Sequence, residues 1–153
     1  MDVYKRLQEL NIVLPQTEIP CGTFCLAKEF GKNLLYVSGA GPVEDVSGKL
    51  GVISLEEGKA AARSTGLSIL AVLHAATGDL NRVKSIVKAI GFVNSAPDFT
   101  QQPAVVNGFS DLMVEVFGPE IGSHARSAIG VAALPGSIPV EVELLVELKG
   151  EEE

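Results

Sequence analysis

The sequence predicts an α+β fold: a mixed β-sheet with two helices packed on one face, in the order β-β-α-β-α-β-β. Three observations predict it. Short runs of aliphatic and β-branched residues, bounded by Gly, Pro and Asn, alternate with two long segments of helical apolar period. Two helices of this kind cover one face of a sheet only, which is an α+β layer solution. The chain, with 153 residues of which 46% are apolar and 20% charged, has the composition of an ordinary globular protein.

Residues 1–14 form an N-terminal extension, where Val3, Leu7 and Leu10 at helical spacing predict a short helix ending before Pro15. "TFCLAKEF" and "NLLYVSGA" are predicted strands around the turn Gly31-Lys32-Asn33, and Gly39, Gly41 and Pro42 stop the second. Ser54 followed by Glu57 is a capping box. It opens a helix over 55–77, with Leu55, Ala62, Ile69, Leu70 and Leu73 on its apolar side and Gly78 placed to end it. "RVKSIVKAIGFVN" is the third strand. Val106, Phe109, Met113 and Phe117 then define a second long helix, stopped by Gly118-Pro119. Strands over 126–133 and 139–148 close the chain, and 150–153 is a frayed acidic tail. Residues 1–153 read as a single domain.

A net charge of −7, with no window rich in Lys or Arg, argues against a nucleic-acid partner, because phosphate affinity depends on basic side chains. No apolar run is long enough for a membrane span or a signal peptide, so a cytoplasmic protein is expected. Cys21 and Cys25 are too few for a disulfide framework or a zinc site and read as two reduced thiols. The segment "SAIGVAAL" is apolar on both faces of its strand. The face that the helices leave bare needs a cover, and a second copy of the chain would supply it.

Strand alternation puts Arg126, Ala128, Gly130 and Ala132 on one face, and Glu141, Glu143, Leu145 and Glu147 together on a face of the last strand. Leu134-Pro135-Gly136-Ser137 joins the two strands, which predicts that they pair and bring Arg126 and Glu141 into one neighbourhood. Small residues around Arg126 leave room beside its guanidinium, and a planar fork suits a planar anion. The plainer alternative is an ion pair between Arg126 and Glu141, across strands or between copies.

The C-terminal pattern "ARS…V…A.LP…VEVE" resembles that of the Rid/YjgF family of reactive enamine/imine deaminases, whose members were formerly called translation-inhibitor endoribonucleases. "CGTFCLAKEFGKNLLYVSGAGP" resembles the family's opening segment, and "VNGFSDLM" its helix start, so the resemblance spans nearly the whole chain. It implies a chorismate-mutase-like homotrimer with sites in the clefts between subunits. Arg126 would clamp the carboxylate of a 2-imino acid of the 2-aminoacrylate or 2-iminopropionate type. Glu141, fifteen residues on, would activate the attacking water. Gly39 and Ala128 would contact the acid through their backbones, and Asn107 would line the cleft. The products would be a 2-keto acid and ammonia, with no cofactor and no metal.

Four positions depart from the family pattern. Phe24 replaces a tyrosine, Cys25 a serine, Ala128 a frequent cysteine and His124 a proline. Phe24 would then line the site without a hydroxyl. His124, two residues before Arg126, is a candidate extra proton donor, and Cys25 a candidate accessory thiol. The alternative function is a non-catalytic protein of the same fold that binds a small carboxylate such as a 2-keto acid, or a holdase-like stress protein.

Overall fold

Five strands form one sheet in the order β1-β2-β5-β3-β4, with two long helices against one face and a short N-terminal helix packed on the second of them. The computed structural model describes residues 1–18 and 21–150, so most of the acidic tail predicted at 150–153 lies outside the described residues. Asp2 accepts from the Tyr4 N–H and caps α1 (Val3–Glu9), which buries Val3 and Leu7. β1 (Ala27–Phe30) and β2 (Leu34–Ala40) make the predicted hairpin, but β1 begins four residues later than "TFCLAKEF" implies.

The reason lies in residues 21–25, where an isolated antiparallel bridge brings the Cα atoms of Cys21 and Cys25 to 4.5 Å, within disulfide reach. The two sulfurs are bonded. This corrects the expectation of reduced thiols and leaves Cys25 without a free thiol for an accessory role.

α2 (Leu55–Thr77) starts at the capping box: the Glu57 N–H donates to Ser54 Oγ at 3.1 Å, and the Ser54 N–H to Glu57 Oε2 at 2.7 Å. Its Ala62, Ile69, Leu70 and Leu73 are fully buried, as are Val106, Phe109 and Met113 of α3. α3 (Gln102–Gly122) runs past the predicted stop. Gly118 leaves helical geometry (φ 78°, ψ 165°), and Pro119 opens one further turn, since proline suits the first position of a helix.

β3 (Val83–Asn94) pairs in parallel with β4 (Ala125–Val131) through the α3 crossover, and antiparallel with β5 (Val140–Leu148) on its other edge. β3 therefore separates β4 from β5, which corrects the expectation that those two strands pair directly. The α3 crossover seats β4 parallel on one edge of β3, and β5 takes the other edge, between β3 and β2, so β4 is left as an edge strand. The 132–139 segment crosses the end of β3 instead. It is held there by the Asn94 N–H on Pro139 O at 2.9 Å and by Lys49 Nζ on Ala132 O at 2.6 Å and Asn94 Oδ1 at 2.7 Å.

With β2 and β3 on its flanks, β5 is the central strand. Its Val140, Val142, Leu144, Val146 and Leu148 are buried under the helices, while Glu141, Glu143, Leu145 and Glu147 face the uncovered side.

Candidate functional site

Arg126 stands on the edge strand β4, in register with the buried Ala89 of β3, and so projects to the side the helices cover. There its Nη1 donates to Asn107 Oδ1 at 2.8 Å and to Ser110 Oγ at 3.1 Å, and Nη2 donates to Pro103 O at 3.4 Å. All three partners come from the first half of α3. Asn107 and Ser110 meet one guanidinium because residues three apart share a helix face.

Both Nη1 protons are thus spent on the protein. The Nε edge of the fork, with the second Nη2 proton, has no partner among the described residues. That edge has the geometry for a bidentate carboxylate.

His124 lies behind this arrangement. Its Nδ1 is 2.7 Å from Gly122 O and its Nε2 3.0 Å from Ser110 Oγ, and its ring packs edge-on against Phe109. A carbonyl accepts only, so Nδ1 carries the proton and Nε2 accepts from the Ser110 hydroxyl. Burial holds the His124 imidazole below its ordinary range; the Gly122 carbonyl opposes this and the Arg126 charge adds to it. His124 therefore serves Ser110 as an acceptor rather than standing as a free proton donor.

Glu141 belongs to a second group. It sits opposite Phe92, which in turn sits opposite Ile129, so it projects from the open face of the sheet. Its carboxylate lies across Gly39 on β2, where any Cβ would collide with Oε1. The register of β2 against β5 shifts between Val37 and Ala40, and this irregularity brings Gly39 over Glu141. Ser38 Oγ donates to Cys25 O at 2.6 Å, which ties the disulfide loop and the exposed Phe24 to the same end of β2.

Sequence reasoning had placed all these residues together. The structure instead forms two groups: Arg126, Asn107, Ala128 and His124 on the helix side, and Glu141, Gly39, Cys25 and Phe24 at the β1–β2–β5 end. The register puts Arg126 three residues from the level of Glu141 and two strands away, or roughly 14 Å between Cα atoms, on opposite faces. This corrects the single-neighbourhood expectation and excludes a cross-strand ion pair. Ala128 packs against the core beside Arg126, far from Gly39.

Ser110 and Ser38 escaped sequence reasoning. The three-residue spacing from Asn107 could have flagged Ser110; Ser38 gave no comparable signal. A cavity of about 380 Å³ between α2 and the 44–53 segment is lined by Glu44, Ile53, Glu57 and Ser64, and contains neither Arg126 nor Glu141. Among the described residues no three His, Cys, Asp or Glu side chains gather as a metal site, and no helix is long and apolar enough to cross a membrane.

A family model described as Endoribonuclease L-PSP matches residues 19–148. The chain belongs to this family, the Rid/YjgF family. Protein TCP17 of Trypanosoma cruzi is 47% identical over 151 residues, which cover 95% of this chain and 94% of the relative. Among solved structures, Atu1372 of Agrobacterium tumefaciens, a protein of unknown function, is 38% identical with a TM-score of 0.85, over 95% of this chain and 91% of that one. RidA of an Antarctic Psychrobacter species is 25% identical with a TM-score of 0.56, over 87% of this chain and 94% of that one. This Rid chain therefore superimposes more closely on Atu1372 than on that RidA.

Proposed function

We propose that this Rid protein hydrolyses reactive 2-imino acids to 2-keto acids and ammonia, at clefts between copies of the chain in a homotrimer. The observation that carries this reading is the Arg126 fork: half-buried, with one edge fixed by Asn107, Ser110 and Pro103 and the other presented for a carboxylate. Bidentate capture at that edge positions the imine carbon of a planar acid. Glu141 is the carboxylate suited to take a proton from water as its oxygen adds to that carbon. The nitrogen gains that proton and the one the added hydroxyl gives up, the C–N bond breaks as the C=O of the 2-keto acid forms, and ammonia leaves. Proton transfer by a positioned group contributes about 10²–10⁴-fold, enough for a substrate that already hydrolyses in water.

Arg126 and Glu141 of one protomer cannot reach the same small molecule, so the site is composite. The edge strand of one copy supplies Arg126, and the open sheet face of a neighbour supplies Glu141 and Gly39. The exposed Ile129, Tyr36 and Phe30 give that contact apolar surface. Nothing in this chemistry requires a cofactor.

The opposite-face placement also supports the second reading. An Arg126 group without a neighbour's Glu141 would bind a small carboxylate and release it unchanged. The endoribonuclease name of the family model finds less support, since a net charge of −7 works against binding a phosphate backbone.

The decisive assay generates 2-imino acids in situ with an amino-acid oxidase and traps them with semicarbazide. Reduced semicarbazone formation with the wild type, restored by Arg126→Ala and by Glu141→Gln, is the expected result. No effect of the wild type on any imine, in a confirmed trimer, would shift the function to carboxylate binding.

A further inference from the structure

We propose that Ser110 and His124 are positioning residues that hold the Arg126 guanidinium with one edge of its fork turned outward for an anion. This inference rests on the carboxylate-clamp reading above. The four groups form a one-directional chain: Arg126 Nη1 donates to Ser110 Oγ at 3.1 Å, the Ser110 hydroxyl donates to His124 Nε2 at 3.0 Å, and His124 Nδ1–H donates to Gly122 O at 2.7 Å.

Direction matters because a serine hydroxyl has one proton and two lone pairs. With His124 as a fixed acceptor, the proton of Ser110 is committed away from Arg126, and its lone pair is left for the guanidinium. Asn107 Oδ1 takes the other Nη1 proton at 2.8 Å. The Nη1 end is thus closed by two oriented acceptors, and the Nε–Nη2 edge is the one that remains. Without His124, the hydroxyl rotates freely and presents its proton to a cation for part of the time.

The groups packed on His124 are Arg126 from β4 and Phe109, Ser110 and Gly122 from α3. Arg126 is the charged one. An anion held by Arg126 offsets the charge that His124 feels, so anion binding and His124 protonation are linked.

The test is calorimetric titration of the whole protein with 2-oxobutanoate, alongside imine hydrolysis kinetics. Ser110→Ala is expected to weaken 2-oxobutanoate about tenfold, the effect of losing one charge-assisted hydrogen bond, and His124→Leu to weaken it about threefold, since the serine lone pair still faces Arg126 part of the time. Ser110→Thr, which keeps the hydroxyl, should bind like the wild type. In kinetics the loss should fall on KM and leave kcat within about twofold. Saturating 2-oxobutanoate should also raise the His124 titration midpoint read by NMR.

If Arg126→Lys weakens binding while Ser110→Ala, His124→Leu and the His124 midpoint all stay at wild-type behaviour, the positioning role is overturned. If Arg126→Lys itself binds as well as the wild type, the clamp falls, and this inference falls with it.

Discussion

Arg126 and Glu141 project from opposite faces of one sheet, with β3 between their strands and three residues of register between their levels. Each is nevertheless supported as a working side chain would be. Arg126 is fixed by three acceptors of α3, and Glu141 lies over a glycine that leaves space for its carboxylate. On the function proposed above, a symmetry-related copy would bring the two half-sites together.

Subunit complementation tests this arrangement directly. Arg126→Ala and Glu141→Gln should each be inactive alone. When the two are unfolded together and refolded as mixed trimers, random assortment gives about a quarter of the clefts an intact Arg126 and an intact Glu141. Recovery of about that share of wild-type imine hydrolysis is expected. Absence of recovery, with mixed trimers verified by native mass spectrometry, would place both residues in one protomer's site.

Gly39→Ala examines the second half-site. Its Cβ would overlap the Glu141 carboxylate, which can move because it is the end of a flexible side chain. Stability should therefore change little, while kcat falls roughly a hundredfold, since small displacements of a catalytic group carry penalties of that order. A large fall in thermal stability with normal kcat in the surviving fraction would show that Gly39 serves the fold alone.

A neighbouring contrast concerns packing. A Cβ on Gly108 of α3 would strike the Lys59 carbonyl and crowd the Arg63 N–H, both backbone of α2. A Cβ on Gly66 of α2 would meet Leu112 Cδ2 at 2.7 Å, a side-chain end that can turn away. Gly108→Ala should lower the unfolding free energy by about 2 kcal/mol, as overpacking against unyielding atoms does. Gly66→Ala should stay within about 1 kcal/mol of wild type, because the gain in helix propensity opposes the crowding. Urea denaturation of both variants measures the difference.

The elements were legible because each is written locally. Ser54 and Glu57 announce α2, Val106 through Phe117 announce the buried face of α3, and Gly31 to Asn33 announce the hairpin. What was not legible is pairing. Nothing in Leu134 to Ser137 says whether the strands it joins are neighbours or flank a third, and in the fold they flank β3, with β4 on the edge reached by the α3 crossover and β5 on the other. The error propagated from topology to site: Arg126 and Glu141 were each identified as functional candidates, but their shared neighbourhood was inferred from a pairing that does not exist. The Cys21–Cys25 bond was missed for a related reason, because composition speaks to frameworks and not to a tight bridge between residues four apart.

His124 gives a pH-dependent stability whose sign follows from its surroundings. Burial, the leading cause, and Arg126 hold its folded value below the ordinary 6.5, so the unfolded chain binds a proton that the folded chain refuses. The contribution is fully present above about pH 6.5 and is lost as the pH falls through the lowered folded value. Asp2 and Glu57 are also depressed, from ordinary values of 3.8 and 4.5, but depressed carboxylates lose their contribution only below those values. Between pH 7.5 and 5.5 the histidine contribution therefore stands apart from both. The wild-type urea midpoint should decline over that interval, and His124→Gln, which keeps an acceptor for Ser110 but does not titrate, should decline less. Equal declines in both proteins would assign the acid sensitivity to other groups and remove His124 from it.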